Sequence, residues 1–414
     1  MENRSLPGLP QLISVDDHVL EPPELWTTRL PRRLKDQGPH VRRERGVLRW
    51  DGLRPKWVAG DADGQWADVW YYDDWVWPLQ RGFAQSGFSQ ENPHRAITYE
   101  EVLPGTYQRD QRLRAMELNH TEASICFPNI IRFCGQLFLD RNDKRVALAA
   151  LQAYNDWMVE EWSGTDVPRR LIPLTLVPLW DAELAAREVL RCAALGSHAV
   201  TFPESPAALG LPSIFSGYWD AFFGACDETD TVVNLHVGSS STSVTTAADA
   251  PRDMAQCFLF INSQLAFSDW LYSGLLEDFT RLRVVLSEGQ VGWMPFVMQR
   301  IDNTWKKSPG GWETRARRAT RLPSSSVPGR IFGCIFDDLQ GLLSRDAVGM
   351  SQIMVETDFP HNDSTFPDSA AVITELVETA GLTEIEIHQL VRGNAVAVYG
   401  LDRYFGVSND RDCR

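Results

Sequence analysis

Two-residue spacing links the side chains best suited to chemistry in this 414-residue chain. In SVDDHV (14–19), Asp16 and His18 are two apart, so a strand there projects both from one face while Asp17 points away. The same parity pairs Asn234 with His236 in TVVNLHVG (231–238), and Glu356 with Asp358 in SQIMVETDF (351–359). With LRVVLSEG (282–289), which ends on Glu288 and Gly289, four predicted strands aim carboxylates and imidazoles from their C-terminal ends. Such a set at one mouth is what a divalent cation demands, with positions left open for water or substrate. Without a cation, crowding so many carboxylates together is costly. Singly, each motif has a plainer reading: DDH as a solvated turn or helix cap, His236 as a satisfied core histidine, Asp358 before Phe359–Pro360 as a turn cap. Their conjunction at strand ends points to a single metal centre at Asp16, His18, His236 and Asp358.

The elements that must position these groups alternate along the chain. ASICFP (123–128), RLIPLTLVPL (170–179), HAVTFPE (198–204) and RIFGCIFDDL (330–339) read as further strands, and with LISVDDHV (12–19) the predicted total is eight. Helices are expected at 145–162, where apolar residues recur at helical spacing, and at 181–195, with Asp181 as N-cap and Gly196 at the stop. Strand–helix alternation of this kind predicts an α/β fold, a (β/α)8 TIM barrel with C-terminal helices, formed by residues 1–414 as one domain. A doubly wound open sheet is the alternative. Residues 27–110 do not fit a minimal barrel and are read as a long, Trp-rich loop insertion after strand 1. With Trp50, Trp57, Trp66, Trp70, Trp75 and Trp77 it serves either as a cap over the barrel mouth or as a surface subdomain or oligomer contact. Residues 308–329 read as an exposed basic loop and 408–414 as a frayed tail.

A net charge of −15 disfavours nucleic acid and anionic membranes as partners, because phosphate binding needs a basic face. The N-terminal MENRSLPGLPQLISVDD lacks the apolar run of a secretory signal, and no stretch of 18 apolar residues could span a bilayer. Seven scattered cysteines without CxxC spacing fit reduced thiols in the cytoplasm. No GxGxxG, P-loop or HExxH motif is present, and GSSS (238–241) lacks the context of a serine nucleophile. Ser239 is read there as a substrate-oxygen contact or as plain loop.

The chain resembles the metal-dependent amidohydrolases of the aminocarboxymuconate-semialdehyde decarboxylase type, a branch that includes aromatic-acid decarboxylases. The similarity is carried by VDDHVLEPPELW (15–26), RLRAMELN (112–119), YNDWM (154–158), VNLHVGSS (233–240), LSEGQVGWMPF (286–296), ETDFPHNDSTFP (356–367) and RGNAVAVYGL (392–401). It implies Asp16 and His18 as the strand-1 ligand pair, His236 as the strand-5 ligand and Asp358 as the strand-8 ligand of one divalent ion, zinc or else manganese or magnesium. Glu288 stands where relatives often carry histidine, a departure that leaves the acid or base open among Asp358, Glu288 and His361. Glu21 and His361 match recurring positions near the site, with loop structure as their competing reading, and Asn234, Glu21 and Ser239 are the expected substrate contacts. HAVTFPE lacks the lysine that often bridges a second metal in such barrels, which favours one ion.

The implied activity is non-oxidative decarboxylation of an aromatic or unsaturated carboxylic acid, with a small-molecule carboxylate as substrate and a homodimer as the expected assembly. Metal-dependent hydrolysis of an amide, lactone or C–C bond is the alternative, since the same ligands serve both. A silent barrel acting as a binding subunit is the third reading, against which the polar cluster itself argues.

Overall fold

The computed structural model describes residues 6–51, 54–61, 63–88, 90–247, 249–251, 253–307 and 321–406. Twelve strands are found among them: β1 (Leu12–Val19), β2 (His40–Asp51), β3 (Arg54–Ala59), β4 (Gln65–Tyr72), β5 (Trp75–Pro78), β6 (Thr121–Pro128), β7 (Leu171–Ile172), β8 (Ala199–Thr201), β9 (Val232–His236), β10 (Val284–Ser287), β11 (Ile331–Ile335) and β12 (Ile353–Val355). Eight of these form a (β/α)8 barrel in which β1, β6 and β7 pair in parallel, as do β8 to β12. Two seams close the ring. Thr175 bridges to Val200 between β7 and β8, while Asp358 N–H donates to Asp16 O at 3.0 Å and His18 N–H to Phe359 O at 2.7 Å.

Inside the ring, Ile13, Val15, Ile125, Phe127, Val285, Phe332, Cys334 and Met354 pack together. Tyr399, from the helix Asn394–Tyr399, joins this cluster and donates its hydroxyl to Asn234 Oδ1 at 2.5 Å. Outside, helices bury a second apolar layer against the same strands. The helix Ala182–Ala194 starts where expected, with the Asp181 carboxylate accepting Leu184 N–H at 2.9 Å. The predicted strand 170–179 is reduced to two residues and one bridge, because Pro173 and Pro178 have no N–H to give a ladder. The predicted helix 145–162 runs as Lys144–Trp157 and then widens into a π-helical turn, Met158–Ser163.

The 27–110 segment is not a loop. It contains a four-stranded antiparallel sheet in the order β3-β2-β4-β5. Its aromatics divide between roles that composition alone does not separate. Trp70 is buried against Trp26, with ring centroids 5.3 Å apart, in a core shared with the end of β1. Trp57 packs in a small core belonging to the sheet itself, while Trp66 is exposed. Residues 308–320 of the expected basic loop and the 408–414 tail lie outside the described residues. Among the described residues no helix is long and apolar enough to cross a membrane.

Candidate metal centre

β1 carries an irregularity between Ser14 and Asp17 that decides where its side chains point. Val15 belongs to the barrel interior, and so does Asp16, whose Oδ2 lies 3.5 Å from His236 Nε2. A local slip of this kind re-aims a side chain without ending the strand. His18 then follows on the same side as Asp16, with Nε2 3.6 Å from Asp16 Oδ1 and 3.1 Å from His236 Nε2. Asp358 and Glu288 arrive differently. β12 ends at Val355 and β10 at Ser287, and both residues sit just beyond, with φ of 49° and 55°. Left-handed backbone is uncommon for a side chain with a Cβ and clusters at functional sites. These turns bring Asp358 Oδ1 to 3.3 Å from His18 Nε2 and Glu288 Oε2 to 3.5 Å from His236 Nε2.

The donor atoms suit a cation better than one another. His236 Nδ1 lies 2.6 Å from Val237 O, an acceptor only, so Nδ1 carries the hydrogen and Nε2 turns a lone pair toward His18 and Asp16. Both carboxylate oxygens of Asp16 and both of Asp358 are buried without an aligned hydrogen-bond donor. Burial, reinforced by a neighbouring imidazole's charge, holds His18 down to about 4 and His236 well below its usual range, so both rings are neutral. Burial raises Asp16 and Glu288 well above the ordinary carboxyl range, with the surrounding carboxylates adding to the effect. At Asp358 burial pushes the same way but is outweighed by His361 and His18, which hold the carboxyl below its ordinary range. Neutral imidazoles, crowded carboxylates and orphaned oxygens at one point are the environment a divalent ion resolves.

Aromatic rings wall the cluster. Phe133 stacks on His236 with centroids 4.1 Å apart, Phe127 meets the same ring edge-on at 4.8 Å, and His361 stacks on His18 at 3.7 Å. His361 Nδ1 is 3.0 Å from Asp358 Oδ1, and the Asn129 amide nitrogen is 3.3 Å from His361 Nε2. The segment after β5 reaches the same place: Ser86 N–H donates to Pro360 O at 3.0 Å, and the Phe83 ring lies 6.4 Å from His361.

The three expected substrate contacts are taken up by protein partners. Asn234 gives its amide to Val200 O and Val232 O and receives Tyr399, which leaves it inside the barrel as a tie to the C-terminal helix. Ser239 Oγ accepts Glu204 N–H at 2.9 Å. Glu21 accepts the N–H groups of Asn129, Ile130 and Ile131 at 3.2, 2.8 and 3.3 Å, so it fixes the turn that carries Asn129 and Phe133. Replacing Glu21 by Ala leaves three buried donors unmatched, at a cost of about 1–3 kcal/mol for an unsatisfied group. Denaturant unfolding should show that loss, while metal content of the folded variant stays at the wild-type level.

Two residues that strand reading did not single out also belong here. Asn129 follows directly on the predicted strand ASICFP, and Glu204 ends HAVTFPE, so strand-terminal position was the available signal for both. Glu204 Oε1 accepts Ser263 Oγ at 3.1 Å, Oε2 has no hydrogen-bond partner, and burial pushes the carboxyl up to about 8. An unfolded chain gives up this proton near pH 4.3 and the folded chain near 8, so stability falls as pH rises between the two. Urea midpoints across that window should decline in the wild type and decline less steeply in Glu204→Gln, where the other buried carboxyls still contribute; an equal decline in both would remove Glu204 as a cause.

The family model described as amidohydrolase matches residues 93–401. Solved structures share the fold over almost the whole chain. An amidohydrolase from Mycobacterium avium subsp. paratuberculosis K-10 is 20% identical with a TM-score of 0.68, over 94% of this chain and 99% of that one. The 2,6-dihydroxybenzoate decarboxylase from Rhizobium is 17% identical with a TM-score of 0.59, over 95% and 99%. The 5-carboxyvanillate decarboxylase from Novosphingobium aromaticivorans DSM 12444, complexed with manganese and 4-hydroxy-3-methoxy-5-nitrobenzoic acid, is 13% identical with a TM-score of 0.62, over 97% and 99%.

Proposed function

The chain belongs to the amidohydrolase family, and from that premise we propose that it is a metal-dependent carboxy-lyase acting on an aromatic or unsaturated carboxylic acid. The observation that carries the reading is the buried convergence of Asp16, His18, His236 and Asp358 with four carboxylate oxygens left without donors. These residues would hold one divalent ion, zinc, manganese or magnesium. When bound, such an ion supplies Lewis acidity and a template for a substrate carboxylate with an adjacent oxygen. The decarboxylase activities of the Rhizobium and Novosphingobium proteins, and the manganese bound in the latter, support the choice of reaction and metal class.

The chain's own residues divide the remaining work. Phe127, Phe133 and Phe83 offer flat apolar walls suited to a planar ring and keep water from the reacting carbon. Glu288, at 9% the most exposed carboxylate of the cluster, holds the proton that replaces the departing carboxyl group on the substrate carbon. As that C–H bond forms, the C–C bond breaks and carbon dioxide leaves with a net transfer of one proton. His361, set by Asp358 and Asn129, orients the opposite side of the mouth. The segment from Arg81 to Phe88 and the antiparallel sheet behind it act as the cap of a single catalytic domain.

Hydrolysis is the second reading, favoured by one observation: Asp358, held ionised by His361 and His18, is equipped to take a proton from attacking water. Incubation of the metal-loaded protein with hydroxybenzoic and related acids, following carbon dioxide, separates the two. Gas release from any member supports the carboxy-lyase; turnover confined to a parallel panel of amides, lactones and esters, with no gas, replaces it by the hydrolase.

A further inference from the structure

The mouth holds more carboxylates than the four-residue outer centre uses. Asp16, Glu288, Glu356 and Asp358 converge within the barrel, all nine-tenths or more buried. Arg112 is committed elsewhere, 3.7 Å from Asp17 on the outer side of β1. With Glu288 holding its proton, ionisation of the other three carboxyls gives three charges, of which a divalent cation offsets two and leaves one. Next to the first cluster lies another convergent set, Asp16, Cys334 and Glu356, whose ligand atoms all fall within 4.8 Å of one another and are fully buried.

The inward aim of this set follows from the strands. Phe332 and Cys334 belong to the interior cluster, while a Cβ at Gly333 would strike Val291 in the outer layer, so β11 alternates cleanly and presents its thiol to the barrel. Glu356 is two residues beyond Met354, another interior residue, and its Oε2 lies 2.7 Å from Cys334 Sγ and 3.1 Å from the Glu288 N–H. Its other oxygen, Oε1, is buried with no partner, as are both oxygens of Asp16.

We propose that Asp16, Cys334 and Glu356 hold a second divalent cation, with Asp16 shared between it and the ion at His18 and His236. One thiolate and two carboxylates suit a borderline or soft ion such as zinc, cobalt or cadmium and select against magnesium. Binding breaks the Cys334 S–H bond, with the proton released to solvent and the sulfur pair donated to the ion. The site differs from a lysine-bridged pair, since its donors come from strands β1 and β11 and from the residue following β12. The inference rests on the metal-centre reading above and adds the inner ion to it.

The test uses the full chain stripped by a chelator and titrated with Co2+ alone, reading cobalt bound per chain and the near-ultraviolet thiolate-to-cobalt charge-transfer band. Wild type should take two ions and develop the band. Cys334→Ser should lose the band, Glu356→Gln should fall to one ion, and His236→Ala should lose the outer ion while the band persists. Cys257→Ser, which removes the thiol that is exposed among the described residues, should keep both ions and the band. One cobalt with no band in the wild type overturns the inner site and leaves the outer reading standing. No cobalt at all overturns both. A band that survives in Cys334→Ser overturns the assignment of the thiol, and because the wild-type titration decides the central point, a variant that fails to fold does not rescue the proposal.

Discussion

His236→Ala should lose the outer cation and with it the proposed activity, yet remain a folded barrel. The tautomer of this imidazole is set independently of any ion, through Nδ1 and Val237 O, so its removal subtracts a preorganised lone pair. Losing a partner that merely orients such a ligand costs about 10–100-fold in metal affinity, and losing the ligand itself should exceed that. The fold should survive because His236 sits at the end of β9, whose ladder to β8 and β10 is made by backbone groups. A cation present at about 100 times its dissociation constant stabilises the protein that binds it by about 2.7 kcal/mol. Thermal unfolding with and without manganese should therefore separate widely in the wild type and coincide in the variant. Turnover in His236→Ala near the wild-type rate, or an undiminished thermal shift, would remove this residue from the centre.

Asp17→Ala should produce a larger loss of stability than the Glu21 or His236 replacement. Asp17 lies on the opposite side of β1 from the metal cluster and ties β1 and β6 to the segment that follows β12. Its carboxylate accepts Ser14 Oγ at 2.9 Å, Thr357 Oγ1 at 2.6 Å and Phe359 N–H at 3.1 Å, and Ser124 Oγ from β6 as well. Burial pushes the carboxyl up, while the Arg112 guanidinium and the three hydroxyls pull it back. Arg112 itself donates to His18 O and Gly105 O and lies against the Phe359 ring. Removing Asp17 strands this buried cation, and breaking a buried pair by taking one partner costs about 3–5 kcal/mol. Since Phe359 adjoins Asp358 and Arg112 grips the His18 carbonyl, the same change should also weaken metal binding. Denaturant midpoints measure the first effect and metal titration the second. If Asp17→Ala/Arg112→Met costs as much as the two single losses added together, the residues do not act as a pair.

How far the site could be read from the chain depended on which physical rule delivers each residue. Alternation puts Asp16 and His18 on one side with Asp17 opposite, and delivers His236, so these were legible from spacing, whereas the slip that turns Asp16 inward beside Val15 was not. Asp358 and Glu288 belong to strand-end turns with positive φ, a geometry that alternation does not describe, although their strand-terminal positions were visible. Asn234 shares the parity of His236, yet parity could not reveal that Tyr399, 165 residues away in sequence, would claim its carbonyl. Glu21 was legible as a residue near the site, but its role as acceptor for three backbone N–H groups depends on a turn that only the tertiary fold creates. The eight-strand barrel follows from alternating strands and helices. Its antiparallel companion did not stand out, because charged and aromatic residues in 40–78 alternate on a sheet that is partly solvent-facing and carries a core of its own. Pairing of β2 with β4 is likewise a long-range choice that local pattern leaves open.

The most direct test is where manganese sits. Crystals grown from manganese-loaded protein, measured on the anomalous signal of that element, should show a peak bounded by Asp16, His18, His236 and Asp358. A strong peak elsewhere with these four side chains unliganded, or no peak in protein that turns over substrate, would contradict the account.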